Sequence, residues 1–298
     1  MKRKYLMILA IPFALSACKD NEIFEKEMYK NVVALISAGN QNIFQEVVPL
    51  TGEEYVGYIA ASAGGTHASD QNMTILLEPD KAPLDKYNRI SFDADERLYA
   101  KLLPSSKYKI EDYKVQINAG ERTGKTMVKL YADGLSPDST YFISLKATET
   151  AGVELNPKKN TILYQVQIKN DYASQATASL YNMTGTANDL VTAGNKKMFP
   201  LDKNKVRIIA GNTSFESNET HIANTSMILE IGEDKKVTIK PYKNLQLTQI
   251  NDDPRYPNTY HLEEAFGRKF HVFQICYEFT LNKVKTRMRE ELRLEVTQ

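Results

Sequence analysis

From Asn31 to the end of this chain, short stretches recur in which apolar and polar residues strictly alternate, and no other feature limits the fold as much. Alternation with period two puts every second side chain on one face of an extended strand, so each stretch buries one face and wets the other. Tyr113, Val115 and Ile117 alternate with Lys114 and Gln116, and Tyr164, Val166 and Ile168 alternate with Gln165 and Gln167. Tyr141, Ile143 and Leu145 share another such face. Turn residues stand between these runs at Ala63-Gly64-Gly65, Asp133-Gly134, Ser136-Pro137-Asp138 and Asn156-Pro157. The longest run closes the chain: Val284, Thr286, Met288, Leu292, Leu294 and Val296 against Lys285, Arg287, Arg289, Glu291, Arg293 and Glu295. A strand fits it best; the good helix formers at 289–292 make a helix the lesser alternative.

No clear amphipathic helix separates the strand signals, which points to an all-β chain rather than to alternating strand–helix units. At 298 residues the length suits about two domains. The reading is an immunoglobulin-like β-sandwich over residues 31–170, then a second antiparallel β-sandwich or small β-barrel over 171–298. The boundary falls at the polar Lys169-Asn170-Asp171, where the first periodic pattern ends. Seventeen Tyr and no Trp fit half-buried pleated surfaces, which favour a flat side chain with a polar tip.

The N-terminus carries a separate signal. Lys2-Arg3-Lys4 is followed by an apolar stretch from Tyr5 to Leu15 that is too short to span a bilayer, which needs about 20 apolar residues. Leu15-Ser16-Ala17-Cys18 then matches a lipobox, so residues 1–17 are expected to be a signal peptide and Cys18 the lipidated first residue of the mature chain. Residues 18–30 are charged and aperiodic and read as a tether to the membrane. The polar start Lys19-Asp20-Asn21-Glu22 resembles the export signal that places lipoproteins on the outer face of the outer membrane.

Charge and cysteine content exclude several classes. The 38 Lys and Arg nearly balance 37 Asp and Glu, and loss of the three basic residues at the N-terminus leaves a small acidic excess, so nucleic acid is not an expected partner. With Cys18 lipidated, Cys276 stands alone, and neither a disulfide framework nor a Cys-based zinc site is expected. His67, His221, His261 and His271 show no metal-ligand spacing, and no cofactor is expected. Gly120 to Thr126 has one residue too few between its glycines for a phosphate loop and runs into a strand-like segment, so it reads as a hairpin loop. Asp93, Asp95 and Glu96 lack the spacing of a family 18 chitinase carboxylate series, and no catalytic residue is assigned.

At the level of particular residues the chain resembles a known pair of modules. Tyr87-Asn88, Leu102-Leu103-Pro104 with Tyr108, the strand from Tyr113 to Asn118 ending in Ala119-Gly120, and Tyr141 to Leu145 resemble an N-terminal domain of unknown function from Bacteroidota surface lipoproteins. That module is also found ahead of glycoside hydrolase family 18 domains. Tyr181-Asn182-Met183-Thr184-Gly185 through the Phe273 to Phe279 strand resembles an uncharacterised domain that often follows it. The resemblance implies a surface protein of a polysaccharide-utilisation or adhesion system, facing the cell exterior, with a glycan or surface protein as partner. It supplies no catalytic residue.

The expected role is therefore non-catalytic glycan binding or adhesion. A glycosidase-like or esterase enzyme with an unrecognised site, or a structural subunit of a surface adhesin assembly, is the alternative. The ligand surface is expected on the loop 251–260, where two prolines stiffen the chain, Tyr256 and Tyr260 offer rings, and Asp252, Asp253 and Arg255 offer hydroxyl partners. Lys285, Arg287 and Arg289 form a basic row that reads first as the wet face of a sheet. Asp138-Ser139-Thr140 fits a short O-glycosylation acceptor at Ser139.

Overall fold

The structure, a computed structural model, describes residues 32–148 and 152–296. The expected signal peptide, Cys18 and the tether lie outside the described residues.

The first half begins with β1 (Val32–Leu35), β2 (Ile43–Pro49), β3 (Tyr55–Ala63) and β4 (Met73–Pro79), followed by helix α1 (Ala82–Phe92). It continues with β5 (Lys101–Leu102), β6 (Tyr108–Ile110), β7 (Lys114–Ile117) and β8 (Thr123–Leu130). It closes with β9 (Tyr141–Thr148), β10 (Glu154–Leu155) and β11 (Thr161–Lys169). Two sheets face each other, in the orders β10-β1-β3-β8-β6 and β2-β11-β9-β4-β7, with β5 beside β9. The alternating residues meet between them: Ile59, Ala61, Val128 and Leu130 from one sheet, Ile143, Leu145, Ile162 and Val166 from the other. Tyr164 also points inward, and its hydroxyl donates to Glu46 Oε2 at 2.8 Å. A Cβ on residue 57 would stand 2.2 Å from that hydroxyl, so the facing strand needs Gly57.

α1 corrects the expectation of a first domain without helices. β9 and β11 bury both faces, and their outer residues Phe142 and Leu163 pack under Leu84, Tyr87 and Ala100. The helix starts with Pro83 in its first turn, where a missing N–H costs nothing, and ends with Arg89 against the carbonyl end. Its buried stripe is only Leu84 and Asn88, too narrow to register as amphipathic. Asn88 pins it down, accepting from Ala100 N at 2.8 Å and donating to Ala100 O at 3.0 Å.

The second half runs through β12 (Ser179–Ala187), β13 (Leu190–Asp202), β14 (Lys205–Ile209), helix α2 (Glu219–Thr225) and β15 (Ser226–Ile231). Then come β16 (Val237–Pro241), β17 (Gln246–Gln249), β18 (Thr259–Ala265), β19 (Arg268–Leu281) and β20 (Val284–Glu295). One sheet in the order β16-β15-β14-β13-β12-β20-β19-β17 curls until its ends approach, with β18 on the first part of β19. Closure is partly by side chain: Gln249 accepts from Ile239 N at 2.7 Å and donates to Val237 O at 3.2 Å. Val237 N donates to Asn258 O and Tyr260 N to Lys235 O, which ties the remaining gap. The protein is thus all-β in two domains, a sandwich followed by a nearly closed barrel-like sheet.

The closing strand β20 pairs with β12 and β19 as an antiparallel strand. Its even-numbered face lines the barrel, which puts Glu290 inside with Met288 and Leu292. Lys196 from β13 meets it, Nζ lying 2.6 and 2.7 Å from the two carboxylate oxygens, and Tyr277 donates to Oε1 at 2.7 Å. Burial pulls the Lys196 ammonium below its ordinary pKa, against the opposing pull of Glu290, and burial with the same carboxylate raises the Tyr277 hydroxyl well above its own.

The two domains are clamped together. Arg207, fully buried on the outer face of β14, makes a bidentate pair with Asp138 of the first domain at 2.5 and 2.6 Å. Its guanidinium lies 4.6 Å from the Phe199 ring centre and 5.1 Å from that of Tyr242. Gln175 adds donors to the carbonyls of Pro137 and Ser139.

Candidate functional site

The loop 251–260 was the sequence candidate, and the fold treats its residues unequally. Tyr260 is a core residue, 5% exposed, in ring contact with Tyr172 and Phe273 and 2.9 Å from His271 Nδ1 through its hydroxyl. Its ring offers no stacking platform, because alternation along β18 turns it into the barrel. Asp253 is also buried: Arg289 Nε donates to its carboxylate, Arg255 N donates to it at 3.1 Å, and the Arg289 contact holds its pKa below the ordinary range. Asp252 is exposed but paired with Arg287 at 3.1 Å. Arg255 stays exposed, 3.8 Å from Asp253, and Tyr256 is half-buried.

The loop therefore lies over the outer face of β20 and pairs with two residues of the basic row, Arg287 and Arg289. Arg289 is shared between Asp253 and Asp189, and Lys285 pairs with Glu278 at 2.5 Å. Cys276 is buried beneath the same loop, and burial raises its thiol pKa. Ser139 sits where the domains meet, its hydroxyl 3.2 Å from Lys101 Nζ, with Asp138 of the acceptor triplet engaged by Arg207. Among the described residues no group of His, Cys, Asp and Glu is arranged to hold a metal ion.

The larger concavity lies elsewhere, on the first domain, and comes from three segments distant in sequence. The turn 38–42 between β1 and β2, the first half of α1, and the turn 157–160 between β10 and β11 enclose a groove of ≈ 1110 Å³. Its size is of the order of small-ligand sites. The two turns are stitched together. Lys159 Nζ donates to the carbonyls of Ser37 at 3.2 Å and Gly39 at 2.8 Å, and Asn42 Nδ2 donates to Lys158 O at 2.9 Å and Thr161 Oγ1 at 3.0 Å. Asn42 takes the left-handed backbone (φ 56) that this turn demands, and asparagine tolerates it better than most residues. Its Oδ1 is buried without a hydrogen-bond partner.

One wall of the groove is apolar. Tyr87, half-buried, is fixed edge-on against Phe142 with ring centres 5.0 Å apart, and Ile90, one turn further, is 62% exposed. The opposite rim carries the amides of Asn40, Gln41 and Asn160. A flat ring held rigidly beside side-chain amides can stack a pyranose face and hydrogen-bond its hydroxyls. A smaller cleft of ≈ 330 Å³ opens between the domains, lined by Tyr99, Tyr141, Tyr242, Lys101 and Glu219 among others.

A sandwich followed by a barrel-like sheet is a two-domain fold that other known structures share. A family model for an N-terminal domain matches residues 24–154 and one for a C-terminal domain matches residues 160–293. The sheets divide slightly later, since β11 pairs with β2 and β9 of the sandwich. A multidomain protein including DUF1735 from Bacteroides ovatus has the same fold, with a TM-score of 0.67 at 14% identity over 88% of this chain and 94% of its own. A protein of unknown function from the same organism gives 0.67 at 17% identity, over 93% and 94% of the two chains. An auxiliary nutrient binding protein from Bacteroides thetaiotaomicron gives 0.59 at 13% identity, over 85% and 91%. No curated protein matches the chain significantly.

Proposed function

We propose that this is a non-catalytic glycan-binding protein of a polysaccharide-utilisation system, held at the cell surface by lipid on Cys18, and that the groove of the first domain is its contact surface. The observation that carries the reading is that the fixed Tyr87 ring and Ile90 share a concavity of ligand size with the amides of Asn40, Gln41 and Asn160. Sugar recognition by a lectin-like surface asks for this combination and for no activated nucleophile. The nutrient-binding protein of the same fold is in keeping with it.

The test is a glycan array probed with the purified protein, followed by Ile90→Asp, which spoils the apolar wall at an exposed position, and Tyr87→Ala. Both variants are expected to lose the glycans that the parent retains, with Ile90→Asp leaving the melting temperature near its starting value. Retention of every glycan by both variants, together with loss in Tyr256→Ala, would move the contact surface to the loop 251–256. Membrane attachment is tested separately: Cys18→Ser is expected to shift the protein from the membrane to the soluble fraction or to leave it uncleaved, and mature lipid-labelled protein from that variant would remove the anchor.

A further inference from the structure

The charge around the groove narrows the class of glycan. Lys86 comes from α1, Lys146 from β9 and Lys158 from the turn before β11, so three separate elements bring ammonium groups to one concavity. Among the described residues none of the three is paired with a carboxylate, whereas Lys81, Lys129, Lys240 and Lys285 all hold one, at 3.3, 3.1, 2.6 and 2.5 Å. Lys159 adds a fourth positive charge, held on backbone carbonyls. The only carboxylate in the lining is Asp80, whose Oδ1 accepts from Ala82 N at 2.9 Å at the start of α1. Glu78 stands opposite Lys146 in the β4–β9 register but takes no part in the lining. A chain with formal net charge +1 has no general excess of cations to explain such a gathering.

Unpaired like charges around a concave, partly apolar surface focus a positive potential into it and raise the local concentration of anions. Lysine suits this role as a mobile point charge that reaches a carboxylate or sulfate oxygen without demanding one fixed geometry. The side-chain amides of Asn40, Gln41 and Asn160 in the same lining offer donors and acceptors that the hydroxyls of a sugar use and that a bare inorganic anion cannot fully match.

Building on the reading of the groove as the glycan site, we infer that its ligand is an acidic glycan, an oligosaccharide bearing uronate carboxylates or sulfate esters. The sugar face lies on Tyr87 and Ile90, and the anionic groups meet Lys86, Lys146 and Lys158.

The experiment uses the full chain and an array of uronate-rich, sulfated and uncharged oligosaccharides, with affinities then measured by calorimetry. Acidic glycans are expected to bind at least about tenfold tighter than uncharged ones of the same backbone, a difference that shrinks at about 0.5 M salt, where screening is strong. The uronate and sulfate arms tell the two anion types apart. The triple variant Lys86→Gln, Lys146→Gln and Lys158→Gln is expected to lose about tenfold or more in affinity for acidic glycans. Lys109→Gln, Lys269→Gln and Lys283→Gln, which remove the same charge from exposed sites elsewhere, are expected to change it less than about twofold. Equal losses in the two triple variants would overturn the inference as mere attraction of polyanions. Preference for uncharged glycans, lost in Ile90→Asp, would overturn it while leaving the groove as a glycan site. Glycan binding untouched by every groove variant would remove both.

Discussion

Two groups of cations in this protein meet opposite fates in the structure. Lys285, Arg287 and Arg289 on β20 are all matched, by Glu278, Asp252, Asp253 and Asp189, and the pairs with Asp252 and Asp253 fasten a loop over the sheet. Lys86, Lys146 and Lys158 around the groove are unmatched among the described residues and fasten nothing. Charge that holds structure together is already spent on a partner, and charge left open around a concavity is available to a ligand. Under the proposed function, the second domain mainly scaffolds and the first domain carries the contact surface.

The buried pair in the barrel gives the sharpest test of the scaffolding side. Glu290→Ala leaves Lys196 without its counter-ion in a closed interior and is expected to cost about 3–5 kcal/mol, read by denaturant unfolding. The double replacement Lys196→Met with Glu290→Leu is expected to recover most of that loss, because an apolar pair of similar volume needs no counter-ion. Asp138→Ala strands the Arg207 guanidinium between its two rings and is expected to cost about 2–3 kcal/mol. Calorimetry is expected to show the single unfolding transition of the parent separating into two, since that pair spans the domains.

Smaller effects follow at the loop and the groove. Asp253 has its folded pKa depressed by Arg289, so its contribution is present above the unfolded value of about 3.9 and is lost as pH falls through the lower folded value. Protection of the loop 251–258 from proteolysis is therefore expected to persist to about pH 4 and to fade only below it, measured with an acid-active protease. Last, the triple groove variant Lys86→Gln, Lys146→Gln and Lys158→Gln is expected to change stability by no more than about 0.5 kcal/mol. A loss of several kcal/mol there would erase the distinction between the two groups of cations.

The architecture was legible wherever one face of a strand is buried and the other is wet. β20 announced itself by alternation over twelve residues, and the two-domain, all-β organisation followed from signals of that kind. Glu290 escaped the sequence reading: it breaks the apolar register of that strand, and its partner Lys196 comes from a strand more than ninety positions earlier. α1 was hidden because it covers the outside of a sheet with so narrow a stripe. The groove was hidden for a different reason, since its walls come from residues 38–43, 80–90, 146 and 157–161, which only strand pairing and the docking of α1 bring together. The loop 251–260 drew notice through its composition, yet the groups that engage Asp252 and Asp253 lie more than thirty positions away on β20.

The parallel pairing of β2 with β11 has a mechanical consequence. β2 lies near the start of the sandwich and β11 is its last strand, and they run side by side through seven aligned residue pairs from Ile43 with Leu163 to Pro49 with Lys169. Tension applied between the chain before β2 and the second domain after β11 pulls these strands in opposite directions along their length. The bonds between them are then loaded together in shear instead of being peeled apart one after another. Under the proposed function, drag on a captured glycan is carried by that strand pair only when it acts beyond β11, on the second domain. A ligand held in the groove, whose rim adjoins the start of both strands, loads mainly the segment leading into β1 and leaves the pair almost slack.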